Sequence, residues 1–171
     1  MHDLFKLGSC CKANIIETLN ENIKIIESEI RKNNKEDEIT KLLKSISGIG
    51  DMLSPTIRYE IGVMSRFFNS KRLASYCRFT PRMHISGKSA KYYKTSKDGN
   101  AYLKRAFSEV AVCAIKYDDD VRKHYQRLKS KKGKPVALSI IGRNMTTVLY
   151  HVWTTNQEYR GYKKSLQLQR T

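Results

Sequence analysis

Apolar residues in the first third of the chain fall on one helical stripe. Ile16, Leu19, Ile23, Ile26 and Ile30 follow at intervals of three and four, the a/d spacing of a coiled-coil seam. Glu and Lys flank the seam, Ile15 and Ile25 widen it, and Asn33-Asn34 offers a stop. The pattern predicts a long helix for oligomerisation or docking. The competing reading is a helix packed on its own domain. A short helix over Glu38 to Ile46 comes next and halts at Ser47-Gly48-Ile49-Gly50, where two glycines permit a tight turn. A further helix is expected over Ser54 to Ile61, with Ser54 as N-cap and Pro55 at its first position. Helix, turn and helix together outline a helix-hairpin-helix-like element. In such an element the turn's amides accept a phosphate oxygen, although the same residues also suit a plain connection.

Gly62 closes that helix, and a short one is expected over Lys71 to Cys77. From Thr80-Pro81 to Gly99 no helical period survives, and Pro81, Ser86-Gly87 and Asp98-Gly99-Asn100 are turn signals. The expectation is a long basic loop, with Tyr92-Tyr93 on a short strand among lysines. Long loops in compact domains are often functional. Asn100 or Asp98 then caps a helix running to about Lys116, with Leu103, Ala106, Phe107, Val110 and Ala114 on one side. Asp118-Asp119-Asp120 opens the next helix as a cap rather than a metal site. A basic turn at 129–134 precedes the last long helix, Val136 to about Thr155, opened by Pro135. The class is all-α. Its expected organisation is a coiled-coil helix (1–37), a helical domain (38–155) and a polar tail that frays (156–171).

Charge changes this picture most. The 171 residues carry a formal charge of +17, while 40% hydrophobic residues suffice for a modest core. Residues 1–46 hold eight bases and eight acids, so the whole excess falls on 47–171, with 25 bases against eight acids. Within 66–105 stand Arg66, Lys71, Arg72, Arg78, Arg82, Lys88, Lys91, Lys94, Lys97, Lys104 and Arg105, opposed by Asp98 alone. Such a field gathers polyanions, so these eleven are the candidate nucleic-acid-binding residues, with Tyr92, Tyr93 and Tyr102 placed to stack on bases. An anionic membrane is the weaker partner, because the densest charge lies on a loop and not on an amphipathic helix. No apolar run approaches the ~20 residues of a membrane span, and Met1 to Lys12 lacks a secretory core; a cytoplasmic protein is expected. Cys10, Cys11, Cys77 and Cys113 lack zinc-site spacing and read as reduced thiols, the last two in the core.

The acids outside the first helix form no pair or trio suited to two Mg²⁺ ions, so a self-contained metal nuclease is disfavoured. Serines are better placed. Ser86 lies beside Gly87 and Lys88, Ser96 beside Lys97, and Ser89 follows; nearby cations could hold a phosphate while a hydroxyl attacks it. The same serines could equally hydrogen-bond phosphates or cap the helix at Asn100.

One ordered series gathers these pieces: Ile46-Ser47-Gly48-Ile49-Gly50, Glu60-Ile61-Gly62, Arg66-Phe67, Leu73-Ala74-Ser75-Tyr76, Pro81, Ser86-Gly87-Lys88, Ser96-Lys97-Asp98-Gly99-Asn100 and Leu103-Lys104-Arg105-Ala106. From about Lys41 to Tyr150 it resembles the carboxy-terminal domain of Piv-type DNA invertases and insertion-sequence transposases, the bridge-RNA-guided DEDD recombinases. The resemblance implies a partner RuvC-like domain whose four acids bind Mg²⁺, joined through a coiled coil. It also implies a serine here that attacks DNA: Ser86, with Ser96 the alternative. The partners so implied are DNA, a structured guide RNA and a second copy through the first helix. The RuvC-like half does not occur in these 171 residues, so the chain is expected to bind nucleic acid without cleaving it. A non-catalytic nucleic-acid-binding adaptor is the alternative. One departure stands out: Asp51 follows the second glycine of the turn, where the family usually has Pro, and would repel a phosphate.

Overall fold

The computed structural model describes residues 2–33, 37–86, 89–95 and 98–167. They form two compact units, Met1–Asp37 and Glu38–Thr171. The first unit is one helix, α1 (His2–Asn33). Along its seam Ile16, Leu19, Ile23 and Ile26 are all more than half exposed, while Ile30 is partly buried.

The second unit is built from α2 (Glu38–Lys44), α3 (Leu53–Ile61), a 3₁₀ turn (Met64–Arg66), α4 (Ser70–Tyr76), strands β1 (Pro81–Ser86) and β2 (Ser89–Thr95), α5 (Ala101–Tyr117), α6 (Asp119–Lys132), α7 (Lys134–Thr155) and α8 (Tyr162–Gln167). The all-α class holds, with one antiparallel ribbon inserted. Helix α7 is central: α2, α4, α5, α6 and α8 all pack on it. Its Ala137, Ile141, Met145, Val148, Leu149 and Val152 are buried against Leu43, Leu73, Leu103, Phe107 and Val110. Gly142 of α7 leaves room for the Phe79 ring, which a Cβ there would meet at 2.4 Å.

Four sequence expectations change. The long basic loop is a β-hairpin, paired from Pro81↔Thr95 to Ser86↔Ser89, with an irregularity between Pro81 and Met83. Extended pairing satisfies the backbone groups that a 15-residue loop would leave open. Ser54 is not the cap of α3: Met52 holds that position without a side-chain bond, and the Ser54 hydroxyl is buried without a partner. The tail does not fray through its described length. Tyr159 O–H donates to Asp118 Oδ2 (2.7 Å), its amide donates to Ser45 Oγ, and Tyr162 is almost fully buried.

The fourth change concerns the glycine-rich turn. Gly48 (φ +95°) lies against α5, where a Cβ would stand 2.7 Å from the Val110 carbonyl oxygen. Lys44 and Asp51 close the turn with a 2.6 Å ion pair. Gly48 is therefore required by packing, independently of any phosphate.

The capping expectations at Asn100 and Asp118 hold. The Asn100 side chain accepts from the Leu103 amide, and Asp118 accepts from the amides of Asp120 and Val121. Cys77 is buried and Cys113 partly so, with Cys10 and Cys11 exposed. Burial pushes the Cys77 thiol up to about 12, so it stays protonated. No helix among the described residues is long and apolar enough to cross a membrane.

Candidate functional site

The base of the hairpin is held by three glycine- or asparagine-dependent contacts. Gly99 (φ +105°) presses on the Tyr76 carbonyl, where a Cβ would stand 2.4 Å away. The Asn100 amide donates to the same carbonyl (2.8 Å), and Asn100 Nδ2 donates to Glu60 Oε2 (2.5 Å). Together these contacts fix the entry to α5 against the ends of α3 and α4.

Arginines gather around this anchor. Arg78, itself at φ +58°, donates from Nε to the Gly99 carbonyl (2.9 Å). Arg66 ends the 3₁₀ turn, with its guanidinium 4.9 Å from the Phe67 ring centroid and 4.8 Å from that of Tyr76. Cation–π contact of this kind holds a guanidinium in place. Arg66 and Arg72 line one cavity of about 490 Å³, together with Phe68, Tyr76, Asp98 and Gly99. Phe68 is 90% exposed. Its signal in the sequence was the Phe67-Phe68 pair, one ring in the core and the other outside, and sequence reasoning passed over it.

Three other candidates with described side chains do not line that cavity. Lys71 lies exposed on α4. Arg105 pairs with Glu109 along α5 (3.1 Å). Lys104 is drawn inward: its ammonium lies 3.5 Å from the Phe79 ring centroid, and desolvation lowers its pKa. Arg82 falls on β1, and Lys91 and Lys94 on β2, with side chains outside the described residues. Lys88, Lys97 and Ser96 lie outside them altogether.

Of the two candidate serines, Ser86 ends β1 and pairs in register with Ser89, and Ser96 lies outside the described residues.

Most acids of the second unit are committed elsewhere. Asp119 pairs with Arg122, Asp120 with Lys163 and Asp51 with Lys44, while Asp118 caps α6. Among the described residues no three His, Cys, Asp or Glu side chains are grouped as a metal would need.

Comparison with known proteins gives the same direction. Residues 40–126 match the model of the transposase IS116/IS110/IS902 family. A probable family 20 transposase of Pseudomonas aeruginosa is 25% identical over 134 residues, covering 75% of this chain and 40% of that protein. Pilin gene-inverting proteins of Moraxella bovis and Moraxella lacunata are each 31% identical over 121 residues, covering 69% of this chain and 38% of theirs. The chain thus spans about two fifths of the length of these curated relatives.

Proposed function

Because the chain belongs to the IS116/IS110/IS902 transposase family, we propose that its second unit is the nucleic-acid-binding part of a DNA transposase or recombinase. The observation that carries this reading is the arginine group at the hairpin base, where Arg66 and Arg72 share one cavity and Arg78 is bound to Gly99 in its lining. Cations fixed in this way engage a phosphate backbone at lower entropic cost than free side chains do. DNA is the proposed partner, and a structured guide RNA is a second polyanion of the same kind.

In this reading a hairpin serine performs strand transfer. Its oxygen bonds to phosphorus, a deoxyribose oxygen leaves with the serine proton, and one phosphodiester replaces another, so no outside energy source is needed. Ser86 is the proposed nucleophile and Ser96 the alternative. The Mg²⁺ chemistry belongs to a RuvC-like domain, and this chain alone binds without cutting. The covering partner for the α1 stripe is a second copy of the chain. Burial of each Ile or Leu there is worth ~1.5–3 kcal/mol before ordering costs.

Trapping on a nicked suicide DNA, with a full-length family member supplying the RuvC-like part, tests the chemistry. The expected product is a DNA adduct of the 19.8 kDa chain that is lost in Ser86→Ala and retained in Ser96→Ala. The opposite pattern moves the role to Ser96. Absence of any adduct on this chain leaves a non-catalytic nucleic-acid-binding adaptor.

A further inference from the structure

We infer that the cavity beside the hairpin base takes a single unstacked nucleotide, with its base stacked on Phe68 and its phosphate on Arg72 and Arg66. The inference rests on the nucleic-acid reading above and names which form of nucleic acid this site selects.

Phe68 is the starting point. Its ring is 90% exposed and lies in the same lining as the Arg66 and Arg72 side chains, so an aromatic ring and two cations share one surface. The ring is not on a slack segment. The Tyr150 hydroxyl of α7 lies 3.3 Å from the carbonyl oxygens of both Phe67 and Phe68, within reach to donate to either. The next residue, Asn69, caps α4 by accepting from the Arg72 amide. Phe67, beside it, is buried. The backbone thus presents Phe68 outward from a pinned position, as a stacking platform requires.

The surroundings select the occupant. The cavity volume of about 490 Å³ falls within the ~300–1,000 Å³ of small-molecule sites. Arg66 is preoriented on the Phe67 and Tyr76 rings, and Arg72 projects from α4 into the same lining. Asp98 is the one carboxylate in that lining; it repels a phosphate locally and so leaves the backbone to the arginine side. An aromatic ring and cations in one lining are the combination that holds single strands, because every base offers a π face while a paired base keeps its faces covered by its neighbours.

Anisotropy titrations of the whole chain with labelled oligo(dT), oligo(rU) and a blunt duplex of equal length test the inference. Phe68→Ala is expected to weaken single-strand binding by about 10-fold or more and to leave duplex binding within a factor of two. Phe68→Tyr, which keeps a stacking ring, restores the single-strand affinity. The two strands separate a DNA occupant from an RNA one. Equal losses on strand and duplex, or no loss on either strand, overturn the stacking role while leaving nucleic-acid binding intact. If the wild-type chain binds none of the three at low salt, the underlying reading fails as well. Because Phe68 is exposed, melting temperatures of all variants should match that of the wild type.

Discussion

Gly48 shows how one position carries a requirement that its neighbours in sequence do not reveal. Its positive φ and the 2.7 Å approach to the Val110 carbonyl exclude any side chain, whereas a Cβ on Gly50 meets nothing within 4 Å. Gly48→Ala should lower unfolding stability by about 1–3 kcal/mol and Gly50→Ala by less than about 0.5 kcal/mol, read from denaturant midpoints. Equal effects would mean that the turn does not lie on α5. The pair Gly48 and Gly50 was legible in the sequence as a turn. The reason for the first glycine was not, because the backbone it touches lies some sixty residues later.

Histidines set a pH dependence at the same scale. Asn144 donates to Tyr162 Oη (2.7 Å), and that hydroxyl lies 2.9 Å from His124 Nδ1, which accepts only when neutral. Burial, and then Arg127, lowers the His124 pKa; burial lowers that of His151. The unfolded chain therefore takes up these protons more readily than the folded one. Stability is full above about 6.5 and falls as pH drops through the lowered folded values. Melting temperature should decrease from pH 7.5 to 5.5, with a smaller decrease in His124→Gln. A melting temperature that rises on acidification would contradict the neutral assignment.

At the scale of elements, local patterning decided what could be read. Helices α5 and α7 announced themselves through apolar spacing and through Asn100 and Pro135. The hairpin did not, because Lys, Ser and Tyr along 86–95 give no clean alternation. Helix α8 was hidden for a related reason: its polar composition conceals one buried ring, Tyr162, and the segment before it is tied by the hydroxyl and amide of Tyr159. Helix α1 was legible from its apolar spacing, and Ile16, Leu19, Ile23 and Ile26 along that stripe are exposed. Sedimentation of the chain at micromolar concentration should show a dimer. Leu19→Asp combined with Ile23→Asp should give a monomer whose second unit unfolds unchanged. A monomeric wild-type chain would instead leave α1 as a docking helix for another protein.

For the whole molecule, charge segregation outranks any single contact. The exposed ion pairs at Lys44–Asp51, Arg105–Glu109 and Arg122–Asp119 contribute about 0–1 kcal/mol each. Each pairs one acid with one base, so they leave the excess of 25 bases over eight acids beyond residue 46 unchanged. The ordered motif series placed the family from sequence alone. Which cations converge was not legible, because only in the fold do Arg66 and Arg72 share one lining and Arg78 bind the carbonyl of Gly99, which packs on Tyr76.

The salt dependence of DNA affinity tests that convergence most directly. Each phosphate contact contributes about 0.9 to the slope of log K on log salt for a duplex. The wild-type chain should bind duplex DNA with a slope of several units, and Arg66→Ala, Arg72→Ala and Arg78→Ala combined should reduce it by roughly 2–3 units. A slope near zero, or one that the triple substitution leaves untouched, would contradict the account.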